Sequence, residues 1–151
     1  MKLLLMAMIV VFFCTGLPLP VFADLKDNSD GTVTDTSQGL VWLKNADCFG
    51  KQMWSDASKT ASELKSGMCG LTDNSVPGDW RLPTAYQLKS RALNKSGFTN
   101  VRPGYYWSST VYTYAGNNDF YWAVHLDAAI YNGFYKTFYF NVWPVRSMVK
   151  K

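Results

Sequence analysis

Histidine is nearly missing from this chain: among 151 residues there is one, His125. That excludes a metal centre or hydrolase machinery drawing on several imidazoles. Cysteine is scarce as well, with three residues, so a densely cross-linked scaffold is ruled out. Long blocks of basic charge are lacking. The formal net charge is only +4 and the lysines and arginines are scattered, which is not the footprint of a nucleic-acid-binding protein. No glycine-rich phosphate loop, internal repeat or low-complexity segment is visible. Beyond the first two dozen residues, no apolar run approaches the roughly 20 residues that would cross a bilayer.

The one long apolar stretch opens the chain. Lys2 precedes an apolar run over residues 3–13, then Pro18 and Pro20, then Val21-Phe22-Ala23. This is the pattern of a secretory signal peptide, residues 1–23, with cleavage after Ala23. Phe13 before Cys14 is too bulky for a lipid-attachment site. The reading is therefore an exported protein, periplasmic or extracellular, with no membrane span after cleavage, and residues 24–151 form a single domain large enough for its own core. Cleavage removes Cys14 and leaves Cys48 and Cys69. In an exported protein that pair points to one disulfide, worth about 3 kcal/mol on the chain-entropy account.

The mature chain begins with a turn cluster over 27–31, the alternating Thr32-Val33-Thr34, a second turn over 35–39 and a strand at 40–43, together a β-hairpin. A calcium loop is the rival reading of the first turn, but Lys26 stands where an acid is needed and no glutamate closes the loop. Trp54, Ala57, Ala61, Leu64 and Met68 then recur at helical spacing, with Ser55 as the expected cap and Gly67 as the stop. Such a helix holds Cys48 and Cys69 about 20 Å apart, so a disulfide requires one flank to fold back. After a turn at 76–79, Trp80-Arg81-Leu82 reads as extended, because Pro83 keeps Leu82 out of the helical region. Thr84 and Gln87 have capping-box spacing and open a second helix, whose apolar face is expected to include Leu88, Ala92 and Leu93. Trp80 reads as a core anchor. Arg81 reads as a structural partner for a carboxylate or a carbonyl.

From residue 105 to residue 143 the chain carries fifteen aromatic residues. Strands are expected over 105–110, 120–127 and 134–143, punctuated by Asn117-Asn118 and by Asn132-Gly133 as a tight turn. The rings occupy both parities, so some must be exposed.

Five phrases occur in order: Asp30-Gly31-Thr32-Val33-Thr34-Asp35, Gly39-Leu40-Val41-Trp42, Trp80-Arg81-Leu82-Pro83-Thr84, Trp107-Ser108-Ser109-Thr110 and Pro144-Val145-Arg146. Together they resemble the Lcl C-terminal domain family, found at the C-terminus of bacterial collagen-like adhesins, over residues 26–148. The resemblance implies an α+β, C-type-lectin-like fold: two helices packed on a small, mostly antiparallel sheet with the terminal strands close together. It gives Trp80, Arg81, Pro83, Thr84, Trp107, Ser108, Ser109 and Arg146 a structural role. Two positions depart from the family's usual pattern: Gln87 stands where glutamate is more common, and Trp143 where arginine often precedes Pro-Val-Arg. The Arg-Leu-Pro-Thr phrase also resembles formylglycine-generating enzymes, but those need a late cysteine pair and this chain has no cysteine after Cys69.

Enzymatic readings are weak. His125 could be set with Ser108 or Ser109 and Asp127, but no nucleophile-elbow pattern is present, and the hydroxyls are expected to bond local backbone. Asp119 and Asp127 would lie about 26 Å apart along one strand, beyond glycosidase geometry. A non-enzymatic binding domain is the better expectation. Tyr112, Tyr114, Asn117, Asn118 and Asp119 share a loop and offer the aromatic faces and amides that hold sugars. The bland alternative is a polar connection whose tyrosines cover the core. Lys89, Arg91, Lys95 and Arg102 are candidates for a basic patch that would hold an acidic or sulfated polysaccharide, or else are a solvated helix face. No cofactor or metal is expected: one acid and two amides around Asn118-Asp119 are a thin calcium set. The expected partner is a glycan, an acidic polysaccharide or an envelope or surface protein; in the last case the domain is an interaction module using exposed aromatics.

Overall fold

Short β-prone runs between tight turns build the N-terminal part of the chain. The computed structural model describes residues 25–148; the segment read as a signal peptide lies outside them. Strands β1 (Leu25–Asp27), β2 (Thr32–Asp35) and β3 (Leu40–Leu43) form an antiparallel meander. The last strand, β9 (Val145–Ser147), returns to pair with β3 through Trp42↔Val145 and Leu40↔Ser147. The C-terminal strand thus joins the N-terminal meander, and β1 and β9 form the two edges of a four-stranded sheet ordered β1-β2-β3-β9.

A second sheet carries the aromatic half of the chain. It contains β4 (Lys51–Gln52), β5 (Tyr105–Val111), β6 (Phe120–His125), β7 (Ile130–Tyr135) and β8 (Phe140–Asn141), ordered β4-β8-β5-β6-β7. Every pairing is antiparallel except the parallel contact of β5 with β8. The fold is α+β, with two sheets where one was expected.

Helices α1 (Trp54–Glu63) and α2 (Ala85–Ala92) lie against opposite faces of this second sheet. Side chains alternate across a strand, and the β5–β6 register shows the division. Tyr106 faces Val124 in the core shared with Leu88 of α2, Trp42, Trp80 and Trp143. Trp107 faces Ala123 in the core shared with Ala57 and Ala61 of α1.

Helix α2 begins as its sequence dictates. Thr84 Oγ1 accepts from the Gln87 backbone N–H at 3.2 Å, and Gln87 Oε1 accepts from the Thr84 N–H at 2.9 Å. Leu93, expected on the apolar face, is 82% exposed because it caps the helix C-terminus and turns outward. Helix α1 has no side-chain cap: Met53 is its N-cap and Ser55 lies inside the first turn. It also stops a turn earlier than the spacing suggests. Leu64 is already extended, and residues 65–71 double back through Gly67 N–H to Leu71 C=O at 2.8 Å. Met68 therefore reaches the core from a loop. This reversal carries Cys69 to Cys48, and the two form a disulfide with Cα atoms 5.8 Å apart.

The Asn132-Gly133 pair is not a turn. It lies inside β7, with Trp122 opposite Gly133. The chain reverses earlier, between β6 and β7, where Ala129 takes a φ of 52°. The expected strand over 134–143 is correspondingly divided, with a turn between β7 and β8.

The signature phrases occupy junctions. Arg81 exchanges two backbone hydrogen bonds of 2.9 Å with Val145, tying the strand before α2 to β9. Its guanidinium donates to the Leu82 carbonyl at 2.9 Å and to Gln87 Oε1 at 3.2 Å. Trp107 Nε1 donates to the Gln52 carbonyl, and Trp143 Nε1 to the Leu43 carbonyl. Arg146 binds Asp73 at 3.1 Å and lies over the Trp80 ring. Ser108 is fully buried and donates to the Trp122 carbonyl at 2.6 Å, while Ser109 bonds the Pro83 carbonyl through both N–H and hydroxyl.

Candidate functional site

Between α2 and the outer strands of the second sheet runs a groove of about 560 Å³, a volume in the range of small-ligand sites. Capping fixes where α2 starts, and helical spacing then turns Tyr86, Lys89, Ser90 and Leu93 toward the groove. Thr110 of β5 anchors the helix end to the sheet by accepting from the Ala85 N–H at 3.0 Å. Trp122 of β6 and Tyr131 of β7 supply the sheet side.

The two rings meet edge to face at 5.0 Å. Trp122 touches Tyr112 on its other flank at 4.5 Å, and Tyr112 in turn meets Tyr114 at 6.3 Å. Tyr112 fits there because Gly133 has no side chain: a β-carbon at 133 would enter its ring. A continuous aromatic strip thus leads from the loop after β5 into the groove. Lys89 places its Nζ 4.8 Å from the centroid of the Tyr131 ring, within cation–π range.

The expected loop site is brought beside this groove, but its polar groups are engaged internally. A tight turn closes Tyr114 onto Asn117. Asn117 Oδ1 accepts from the Asp119 N–H at 2.8 Å, Asn118 Oδ1 accepts from the Thr113 hydroxyl at 3.1 Å, and Asp119 pairs with Lys136 at 2.7 Å.

The expected basic patch does not assemble. Arg91 is 1% exposed, pointing inward from α2 to Asp35 at 3.5 Å and across the Phe98 ring. Burial draws its guanidinium below the ordinary value, and the Asp35 carboxylate opposes that shift. Lys95 pairs with Asp127 at 3.0 Å, and Arg102 with Asp47 at 2.6 Å. The hydrogen bond from Lys95 holds the Asp127 carboxyl below its usual range. Of these four residues on or just after α2, Arg91 falls on the buried side, Lys95 and Arg102 meet acids from distant loops, and Lys89 lies over the Tyr131 ring. His125 packs edge-on against Tyr105 at 4.9 Å.

A family comparison bears on this geometry. The model of the Lcl C-terminal domain matches residues 31–146. The chain belongs to the Lcl C-terminal domain family. This is an adhesin-associated binding family, and the matched span contains both sheets apart from β1 and the end of β9, both helices and the whole groove. No curated protein matches the chain. No helix among the described residues is long and apolar enough to cross a membrane.

Within this Lcl C-terminal domain, sequence reasoning missed Trp122, Tyr131, Tyr86 and Leu93 as groove residues. A usable signal was present: a glycine in an aromatic strand marks close approach by another group. With Gly133 opposite Trp122, the strand parity places Tyr131 and Trp122 on one face.

Proposed function

We propose that this exported domain is a non-enzymatic receptor for a glycan, held in the groove on Trp122 and Tyr131. The observation that carries the reading is Trp122, half-buried between Tyr131 and Tyr112 beneath the polar edge of α2. Aromatic faces meet the C–H surfaces of sugars, and the neighbouring Thr84, Ser90, Thr110 and Lys89 can meet sugar hydroxyls. Tyr112 and Tyr114 extend the same surface, whereas Asn117, Asn118 and Asp119 shape the loop that presents them. Calcium has no part in this reading, because Asp119 is neutralised by Lys136. The C-type-lectin-like fold that the family resemblance implies would accord with a loop-flanked sugar site.

The test is calorimetric titration of the mature chain against a glycan panel, with and without EDTA. Binding that ignores EDTA and disappears in Trp122→Ala and Tyr131→Ala, with the circular dichroism spectrum unchanged, is the expected result. Binding that survives both substitutions would sink the groove as the site.

A second reading, an interaction module of an envelope assembly, is favoured by one separate observation. Phe138 and Tyr139 stand 50% and 57% exposed between β7 and β8, and Phe138 meets Phe134 on the α1 side of the sheet. Sedimentation of the mature chain distinguishes the two: self-association lost in Phe138→Ser with glycan binding intact would favour the module.

A further inference from the structure

We infer that the groove reads a single negative charge, so that its ligand is a sugar with one acidic substituent beside the stacked ring rather than a densely sulfated polymer. The inference rests on the glycan reading above and goes further by naming the class of glycan. Its starting point is the fate of the four basic residues on and after α2. Arg91 is sealed against Asp35, Lys95 is matched by Asp127 and Arg102 by Asp47. Their charge is spent inside the protein, and a polyanion would have to compete for each one.

Lys89 differs. It is exposed and lines the groove, and among the described residues it forms no ion pair with a carboxylate. The groove lining contains no aspartate or glutamate. The Tyr131 ring beneath its Nζ orients the ammonium without neutralising it, because a ring face offers a quadrupole and no net charge. A sugar stacked on Trp122 and Tyr131 would therefore meet one uncompensated cation at one edge. Two hydroxyls that line the same groove have donor capacity left. Thr84 Oγ1 and Thr110 Oγ1 each accept a backbone N–H, which leaves the O–H of each available to a ligand oxygen. One ammonium and neutral donors suit a lone carboxylate. They do not suit a row of sulfates, which calls for several cations in series.

The experiment uses matched pairs of oligosaccharides, each bearing one uronic or sialic acid, together with their carboxyl-reduced counterparts and heparin as the dense polyanion. Each is titrated into the full mature chain at low and moderate salt. The expected result is a preference of about tenfold for the acidic member of a pair at low salt, the worth of one charge-assisted hydrogen bond. Lys89→Gln should erase that preference between the members of a pair, and Lys89→Arg should restore it. Heparin should bind no tighter, per disaccharide, than the singly charged sugars.

Equal affinity for both members of every pair would overturn the single-charge inference and leave the glycan reading standing. Tight heparin binding with a steep salt dependence, weakened by Lys95→Gln or Arg102→Gln, would overturn it in favour of the dispersed cations. Absence of binding by every probe would overturn the glycan reading, and this inference with it.

Discussion

The ring of Tyr112 stands where a β-carbon on Gly133 would have to be. Gly133→Ala should therefore push the ring out of the space beside Trp122, at a cost of about 1–3 kcal/mol for overpacking. Chemical denaturation measures the loss. Removing the ring in Gly133→Ala/Tyr112→Ala should recover part of it, and a double-mutant cycle would then show strong coupling. Unchanged stability in Gly133→Ala would mean that the ring moves away freely.

Arg91 and Asp35 make an asymmetric buried pair. Asp35 also accepts from the Ser37 hydroxyl and from both the backbone and the side-chain amide of Gln38, so it keeps partners if the arginine is lost. Arg91 has no such reserve: its buried Nε and Nη1 find no acceptor among the described residues, and its other neighbour is the Phe98 ring. Asp35→Asn should cost about 3–5 kcal/mol by leaving a buried cation uncompensated. Arg91→Met should cost less. Unfolding curves for the two variants rank them, and the reverse order would contradict this account.

Tyr106 gives the fold an alkaline limit. Burial pushes its hydroxyl up to about 12, against a weaker opposing effect of the Arg102 backbone, with which it exchanges hydrogen bonds of 2.8 and 3.1 Å. The unfolded chain ionises this group near pH 10. Its contribution is thus complete below about pH 10 and is lost as the pH rises to about 12, amounting to about 3 kcal/mol. Tyr106→Phe should be less stable than wild type near neutrality, yet lose less on going from pH 9 to 12. Parallel slopes for the two proteins would remove Tyr106 as the cause.

The disulfide and the Gly31 contact hold one loop from two sides. Gly31, at φ +85°, lies so close to the Gly70 carbonyl that a β-carbon would collide with backbone. Cys48→Ala/Cys69→Ala should lower stability by about 3 kcal/mol, measured against the oxidised wild type in denaturant. Gly31→Ala should destabilise the protein even with the disulfide intact. A neutral Gly31→Ala would mean that the 69–71 segment has room to shift.

Much of the fold was readable from local chemistry. The N-terminal hairpin, the Thr84–Gln87 cap and the turn before Trp80 follow from residue types within a few positions of each other, and they stand where the sequence put them. The end of α1, the placement of Gly133 and the burial of Arg91 are set instead by distant partners: the reversed 65–71 segment, Tyr112 and Asp35. The candidate site shows the same division. Tyr112 and Tyr114 were visible as loop aromatics, but Trp122 and Tyr131 become one surface only through the β6–β7 register, which no short window of sequence contains. The four basic residues on or just after α2 are legible as neighbours in sequence, but that proximity says nothing about the burial of Arg91 or about the acids that reach Lys95 and Arg102 from other loops.

The distribution of tryptophan gives the protein its own optical reporter. Of the six, Trp42, Trp80, Trp107 and Trp143 are sealed from solvent. Trp54 is stacked on Tyr121 at 3.5 Å with its indole N–H bonded to the Ser108 carbonyl. An aqueous quencher such as iodide can therefore reach only the two half-buried indoles, Trp54 at the start of α1 and Trp122 in the groove. Light lost to iodide, and shielded again when the groove fills, would report occupancy of that groove without any label being attached.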